Sequence, residues 1–233
     1  MDTLSAAMKA ALALTLLAIG AALYMIFWHA PEHLRQGNLQ RLFYGHISTA
    51  LVSYIAFILV AIGGAMYLIG RKAAWDRLAR AAALLGVFFT TIVLLTGCVW
   101  GSGVWGACWS WDARLTTTLV LWFVYVGYLM LRGYIDERER RRRIAAVVGI
   151  AGAVIVPVNY LSVYWWRTLH PESTLISSGG GGLTPDMLQT LIVTVLAFLL
   201  LFGVLVRLQV RLERVSDLTE DLRMAALAKE NEL

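Results

Sequence analysis

Three tryptophans and two opposite charges crowd one short stretch, Trp105-Gly106-Ala107-Cys108-Trp109-Ser110-Trp111-Asp112-Ala113-Arg114-Leu115-Thr116. Large flat indoles offer a π-surface, Gly106 lets backbone approach closely, and Asp112 with Arg114 brackets the end of the cluster where a helix begins. Such a platform suits a large, flat, apolar ligand. Asp112 also fits a helix N-cap and Arg114 an interfacial cationic anchor, and the cap is compatible with ligand binding. The remaining chemistry belongs to four histidines, His29, His33, His46 and His170. A lone histidine in apolar surroundings is more often a satisfied helix-end residue than a ligand. His46 in Phe43-Tyr44-Gly45-His46 and His170 in Trp165-Trp166-Arg167-Thr168-Leu169-His170 come from two separate segments. Two neutral imidazoles so placed are what bis-axial ligation of a haem iron requires, with indoles covering the porphyrin and a guanidinium pairing with its propionates. His29 and His33 would form a metal pair only if one helix continued past Pro31, which works against it.

The elements that must position these residues are set by an apolar composition. Of 233 residues, 59% are hydrophobic and 15% charged, with a mean hydropathy of +0.69. Soluble domains run nearer half apolar and about a quarter charged. A transmembrane helix needs about 20 apolar residues. Six segments free of Asp, Glu, Lys and Arg qualify: Ala10 to Trp28, Phe43 to Gly70, Ala81 to Trp100, Leu115 to Leu131, Ile144 to Trp166 and Met187 to Val206. The predicted fold is an all-α integral membrane protein, a six-transmembrane-helix bundle occupying 1–233 as a single domain. The first segment is long for a signal-peptide core and lacks a clear small-x-small cleavage site, which favours a retained helix.

Orientation follows from Lys and Arg. One side carries only Arg35, Arg41, Arg114 and Arg167, and the other holds the remaining sixteen of the twenty. Both termini are therefore expected in the cytoplasm. The basic net charge of +5 becomes a topology signal, and nucleic-acid binding loses its support. All four histidines and seven of nine tryptophans then fall at outer ends of spans. An aromatic belt would place Trp at both faces, whereas the inner side has Trp75 alone.

At these residues the sequence strongly resembles the CcmC family, the haem exporters and haem-handling proteins of cytochrome c maturation System I. The tryptophan-rich motif W-G-x-x-W-x-W-D-x-R-L-T is complete from Trp105 to Thr116, and the resemblance extends through Thr96-Gly97, Trp100-Gly101, Ser162 to Trp166, Thr168 to His170 and Ser173-Thr174. The resemblance implies that haem b is held non-covalently at the periplasmic surface of a bacterial inner membrane, between the tryptophan-rich loop (about 100–116) and two axial histidines. It implies His46 and His170 as iron ligands, with Trp105, Gly106, Trp109, Trp111, Asp112 and Arg114 in the haem-binding motif. It also implies delivery to the haem chaperone CcmE, in a complex with the ATP-binding cassette subunits CcmA and CcmB and with CcmD. Two departures stand out: Cys108 where the family commonly has a further Trp, and Ile47-Ser48-Thr49 where it often has a Pro shortly after the first axial histidine.

Cys98 and Cys108 either pair in an oxidising compartment or leave a partly buried thiol; the thiol is the favoured expectation. The run Asp136 to Arg143 is expected to set topology and touch anionic lipid. The tail, about 207–230, reads as an amphipathic cytoplasmic helix on the membrane or against a partner. Gly179 to Gly182 are expected to make the loop carrying His170 mobile, and Pro157 with Asn159 to kink span five. No paired carboxylates, nucleophile constellation or phosphate loop is present, so catalysis by the chain's own side chains is not expected, although it could promote covalent attachment on the acceptor. Two rival functions are a membrane b-type cytochrome in electron transfer and a permease for haem or another solute. Neither finds its mark, since the spans carry neither mid-bundle histidine pairs nor an ionisable path.

Overall fold

The computed structural model describes residues 5–33, 36–166, 168–170 and 183–230, without the side chains of 227–230. The described chain is helical apart from loops and one isolated bridge between His33 and Gly37. Six helical stretches are long and apolar enough to cross a membrane. Helix α1 (Ala6–Tyr24) starts at Ser5, whose hydroxyl accepts from the Met8 amide, and passes into a π-helical turn, Met25–His29. A 3₁₀ turn, Asn38–Gln40, leads into α2 (Arg41–Gly70). Arg71, at φ 53°, reverses the chain into α3 (Ala73–Trp105). Then come α4 (Ala113–Tyr134), α5 (Arg138–Ala153), α6 (Ile155–Trp165) and α7 (Pro185–Glu230).

The expected kink in span five is the break between α5 and α6. Pro157 has no N–H for the carbonyl four residues back, and that residue, Ala153, is the last of α5. Asn159 does not cap the freed carbonyl. Its amide donates to the Arg114 carbonyl at 3.0 Å and to the Thr117 and Thr118 hydroxyls at 2.7 and 2.9 Å, while the Tyr54 hydroxyl donates to its Oδ1. The break thereby lets α6 grip the start of α4. Helix α2 lies at the centre, packed on α3, α5 and α7, with α1 resting on α7. Small residues let the helices approach: Ala79, Ala82, Ala83 and Ala145 share a buried cluster with Phe57, which stacks on Tyr125 at 3.9 Å.

At the basic end the expected tail helix is present, as the unbroken continuation of the sixth span in the 46-residue α7. Its acidic residues reach arginines of the run Asp136 to Arg143 and of α3. Arg138 pairs with Glu220 and Asp221, Arg141 with Glu220, and Arg142 with Asp217; Arg77 also meets Asp217, and Arg80 meets Glu213. Beneath them Arg132 donates to both oxygens of buried Asp76 at 2.7 Å, a bidentate pair joined by Arg142 at 3.3 Å. Charge attraction between residues far apart in sequence holds the tail upright. Its apolar side, Leu212, Val215, Leu218 and Leu222, is exposed.

Candidate functional site

The end of the bundle opposite these ion pairs is built from the upper turns of α2 and α3, the segment from Trp105 to α4, and the residues after α6. His46 lies one turn into α2 and is 8% exposed. Its ring fits because α3 has Gly97 opposite; a Cβ there would meet His46 Cε1 at 3.2 Å. Thr96 gives its hydroxyl hydrogen to the Ile92 carbonyl at 2.7 Å, so towards His46 Nδ1, 2.9 Å away, it acts as acceptor. Nδ1 therefore carries the proton and Nε2 keeps its lone pair.

Helix α3 ends when Gly106 adopts φ 73°, a left-handed C-cap that sends the chain back along the helix. The reversal brings Cys108 beside Cys98, and the two form a disulfide with Cα atoms 4.3 Å apart. The favoured thiol expectation is thus wrong. Two turns of helix and one left-handed residue return the chain onto itself, a juxtaposition that spacing alone does not reveal.

Asp112 is the N-cap of α4, accepting from the Leu115 amide at 2.8 Å. It does more than cap. Its second oxygen accepts from the Thr168 hydroxyl at 2.9 Å and the Leu169 amide at 3.3 Å, and lies 3.4 Å from His170 Nδ1. Burial alone would raise the Asp112 carboxyl, but the Leu115 amide, the Thr168 hydroxyl and the His170 ring outweigh it and hold it below the usual carboxylate range. The ring nitrogen facing this carboxylate is the protonated one, so Nε2 of His170 keeps its lone pair. Burial lowers the His170 imidazole from its ordinary value; Asp112 pulls the other way, and Arg114 adds to the lowering.

Between the two imidazoles runs a row of rings. His46 stands 6.1 Å from Trp100, Trp100 6.1 Å from Trp105, and Trp105 5.1 Å from His170, edge to face. Trp109 meets Trp111 edge to face at 5.5 Å, and Trp111 is 77% exposed. Arg114 donates one Nη2 bond to the Tyr160 carbonyl at 2.8 Å. Buried polar atoms collect here without hydrogen-bond partners among the described residues: Trp109 Nε1, Ser110 Oγ, Arg114 Nε, Thr116 Oγ1 and, under Trp100, Tyr44 Oη. Such atoms normally find partners. Their clustering, with two open Nε2 atoms, fits a ligand that presents a metal and acceptor or donor groups at its rim.

The site thus brings together His46, His170, Trp105, Gly106, Trp109, Asp112 and Arg114, with Trp111 outermost. Arg167, Ser173, Thr174 and Gly179 to Gly182 lie outside the described residues. His29 faces Asp186 at 3.9 Å, His33 Nδ1 accepts from the Gln36 amide, and no group of three metal-ligating side chains occurs among the described residues. The reading of spacing missed Thr96 as the partner of His46 and Asn159 as the clamp on Arg114. Thr96 had a signal, lying one turn below Trp100 on the face that must meet α2.

Fold and site together define a class, multi-pass helical membrane proteins with a tryptophan-rich segment set between two imidazoles. The family model for CcmC, described as heme exporter protein C, matches residues 1–224, and the chain belongs to that family. The heme exporter protein C of Bradyrhizobium diazoefficiens is 37% identical over 173 residues, covering 74% of this chain and 66% of that protein. That of Escherichia coli K12 is 36% identical over 185 residues, 79% and 74% of the two chains. The Haemophilus influenzae heme exporter protein C is 33% identical over 216 residues, 93% and 88%.

Proposed function

We propose that this protein holds haem b non-covalently as cargo, with His46 and His170 on the iron, and passes it to the haem chaperone CcmE for cytochrome c maturation. The observation that carries this reading is the matched state of two imidazoles from separate segments. Each has Nδ1 engaged, by Thr96 in one case and Asp112 in the other, and Nε2 without a partner among the described residues, at the two ends of a row of indoles. An iron ligand needs that lone pair and a partner behind the ring to orient it. Trp105 and Trp109 offer porphyrin-sized π-surface, and the spare Arg114 nitrogens suit propionates. The lysine and arginine asymmetry supports an inner-membrane placement with both termini in the cytoplasm and this site facing the periplasm. Family membership supports work alongside CcmA, CcmB and CcmD. The buried amide of Asn159 is bonded to Tyr54, Arg114, Thr117 and Thr118, which speaks against a permease route past it.

The test is an absorption spectrum of the detergent-purified protein loaded with haem, oxidised and reduced, beside His46→Ala and His170→Ala. A six-coordinate low-spin spectrum that turns high-spin or vanishes in each variant is the expected result. Parent-like spectra in both variants overturn the ligand assignment.

A further inference from the structure

We propose that the Cys98–Cys108 disulfide is a redox-exchange site, through which a dithiol protein of the outer compartment sets how firmly the tryptophan segment is held. Cys98 is half-buried on the flank of α3, and Cys108, 10 residues on, is exposed in the returning segment. Among the described residues, no hydrogen bond holds that segment, residues 107–111, and Trp109 Nε1 and Ser110 Oγ have no partner. The Ala107 carbonyl merely packs over Gly101. Between the left-handed turn at Gly106 and the cap at Asp112, the S–S bond is the one covalent tie. A cross-link acts mainly by removing freedom from the open state. With no competing hydrogen bonds among the described residues, its loss falls directly on Trp109 and Trp111.

The exchange balances without a further reagent. A thiolate of the dithiol protein attacks the accessible Cys108 Sγ, forming a mixed disulfide and expelling Cys98 as thiolate, which takes up a proton. The partner's second thiol then attacks its own sulfur in the mixed disulfide and releases Cys108 as a thiol. Two electrons pass from the partner, now a disulfide, to Cys98 and Cys108. An exposed sulfur attacked first and a shielded one leaving give the reaction its direction. The effect on cargo rests on the haem reading above: once the bond is open, haem leaves the platform faster.

Reduced thioredoxin serves as the probe dithiol, acting on the full-length protein in detergent, with thiols counted before and after. Chymotryptic cleavage after Trp109 and Trp111 reports the segment in haem-free protein, and haem loss to apomyoglobin reports the cargo. Two new thiols are expected, with cleavage and haem loss each rising about tenfold as the open population grows. The variant Cys98→Ser/Cys108→Ser should match the reduced protein and ignore thioredoxin. Failure of thioredoxin to yield thiols, equal cleavage in both redox states, or parent-like haem loss in the double variant overturns the proposal. If neither form takes up haem while cleavage still responds, the haem reading fails and the exchange site stands.

Discussion

At the basic end of the bundle, buried Asp76 receives two hydrogen bonds from Arg132 and a further contact from Arg142, and α7 lays Glu213, Asp217, Glu220 and Asp221 against four more arginines. At the tryptophan end, Tyr44, Trp109, Ser110, Arg114 and Thr116 each keep a buried polar atom without a partner among the described residues, against Arg132 Nε at the other end. Leaving such an atom unsatisfied costs about 1–3 kcal/mol. The first end is closed by its own side chains; under the proposed function the second is completed by haem.

The contrast can be broken most sharply at Asp76. Asp76→Ala strands Arg132 in the interior and should destabilise the fold by about 3–5 kcal/mol, seen as a fall in Tm in detergent, while the haem spectrum recorded well below Tm stays that of the parent. A parent-like Tm would deny the basic end its role. Thr96→Val should do the reverse, leaving Tm nearly unmoved and weakening haem affinity by about 10–100-fold through loss of ring orientation. Thr96→Ser should restore the affinity, and equal affinities in all three proteins would refute the tautomer argument.

Acid titration sharpens the same contrast. His170 is held below its ordinary value of 6.5 by burial, so its neutral form persists as pH falls through that value, and protonation, which closes Nε2, comes lower. The low-spin spectrum should therefore survive through pH 6.5 and collapse below it. A collapse centred at or above 6.5 contradicts the buried, neutral ligand. The smallest effect belongs to Glu220→Ala, which removes partly exposed pairs to Arg138 and Arg141. It should cost about 0–1 kcal/mol, less in high salt, as read from Tm at two ionic strengths.

Periodicity and composition locate all six apolar helices, because crossing a membrane demands a property that can be read residue by residue. The tryptophan motif and the two histidines are legible for a similar reason, as rare side chains at fixed spacing. What escapes is what depends on distant partners. Arg207 closes the sixth apolar run, yet α7 continues, because its carboxylates meet arginines that α3 and the start of α5 supply 75 to 140 positions away. The disulfide depends on the single left-handed residue Gly106. Thr96 looks like any threonine bonding back to its own helix, which it does, and its second role exists only once α2 sets His46 beside it.

Helix α7 has one further consequence, a mechanical one. At about 1.5 Å per residue its 46 residues form a rod about 69 Å long, more than twice the roughly 30 Å of hydrocarbon. Past Pro185 it carries no proline to act as a hinge. Its first turns, at Met187 and Leu191, pack in the same cluster as Trp100 and Tyr44. Its far turns stand clear of the hydrocarbon with an apolar edge uncovered. One unbroken helix thus runs from the floor beneath the indoles to the ion pairs that pin its far half, and spans both of the differently finished ends.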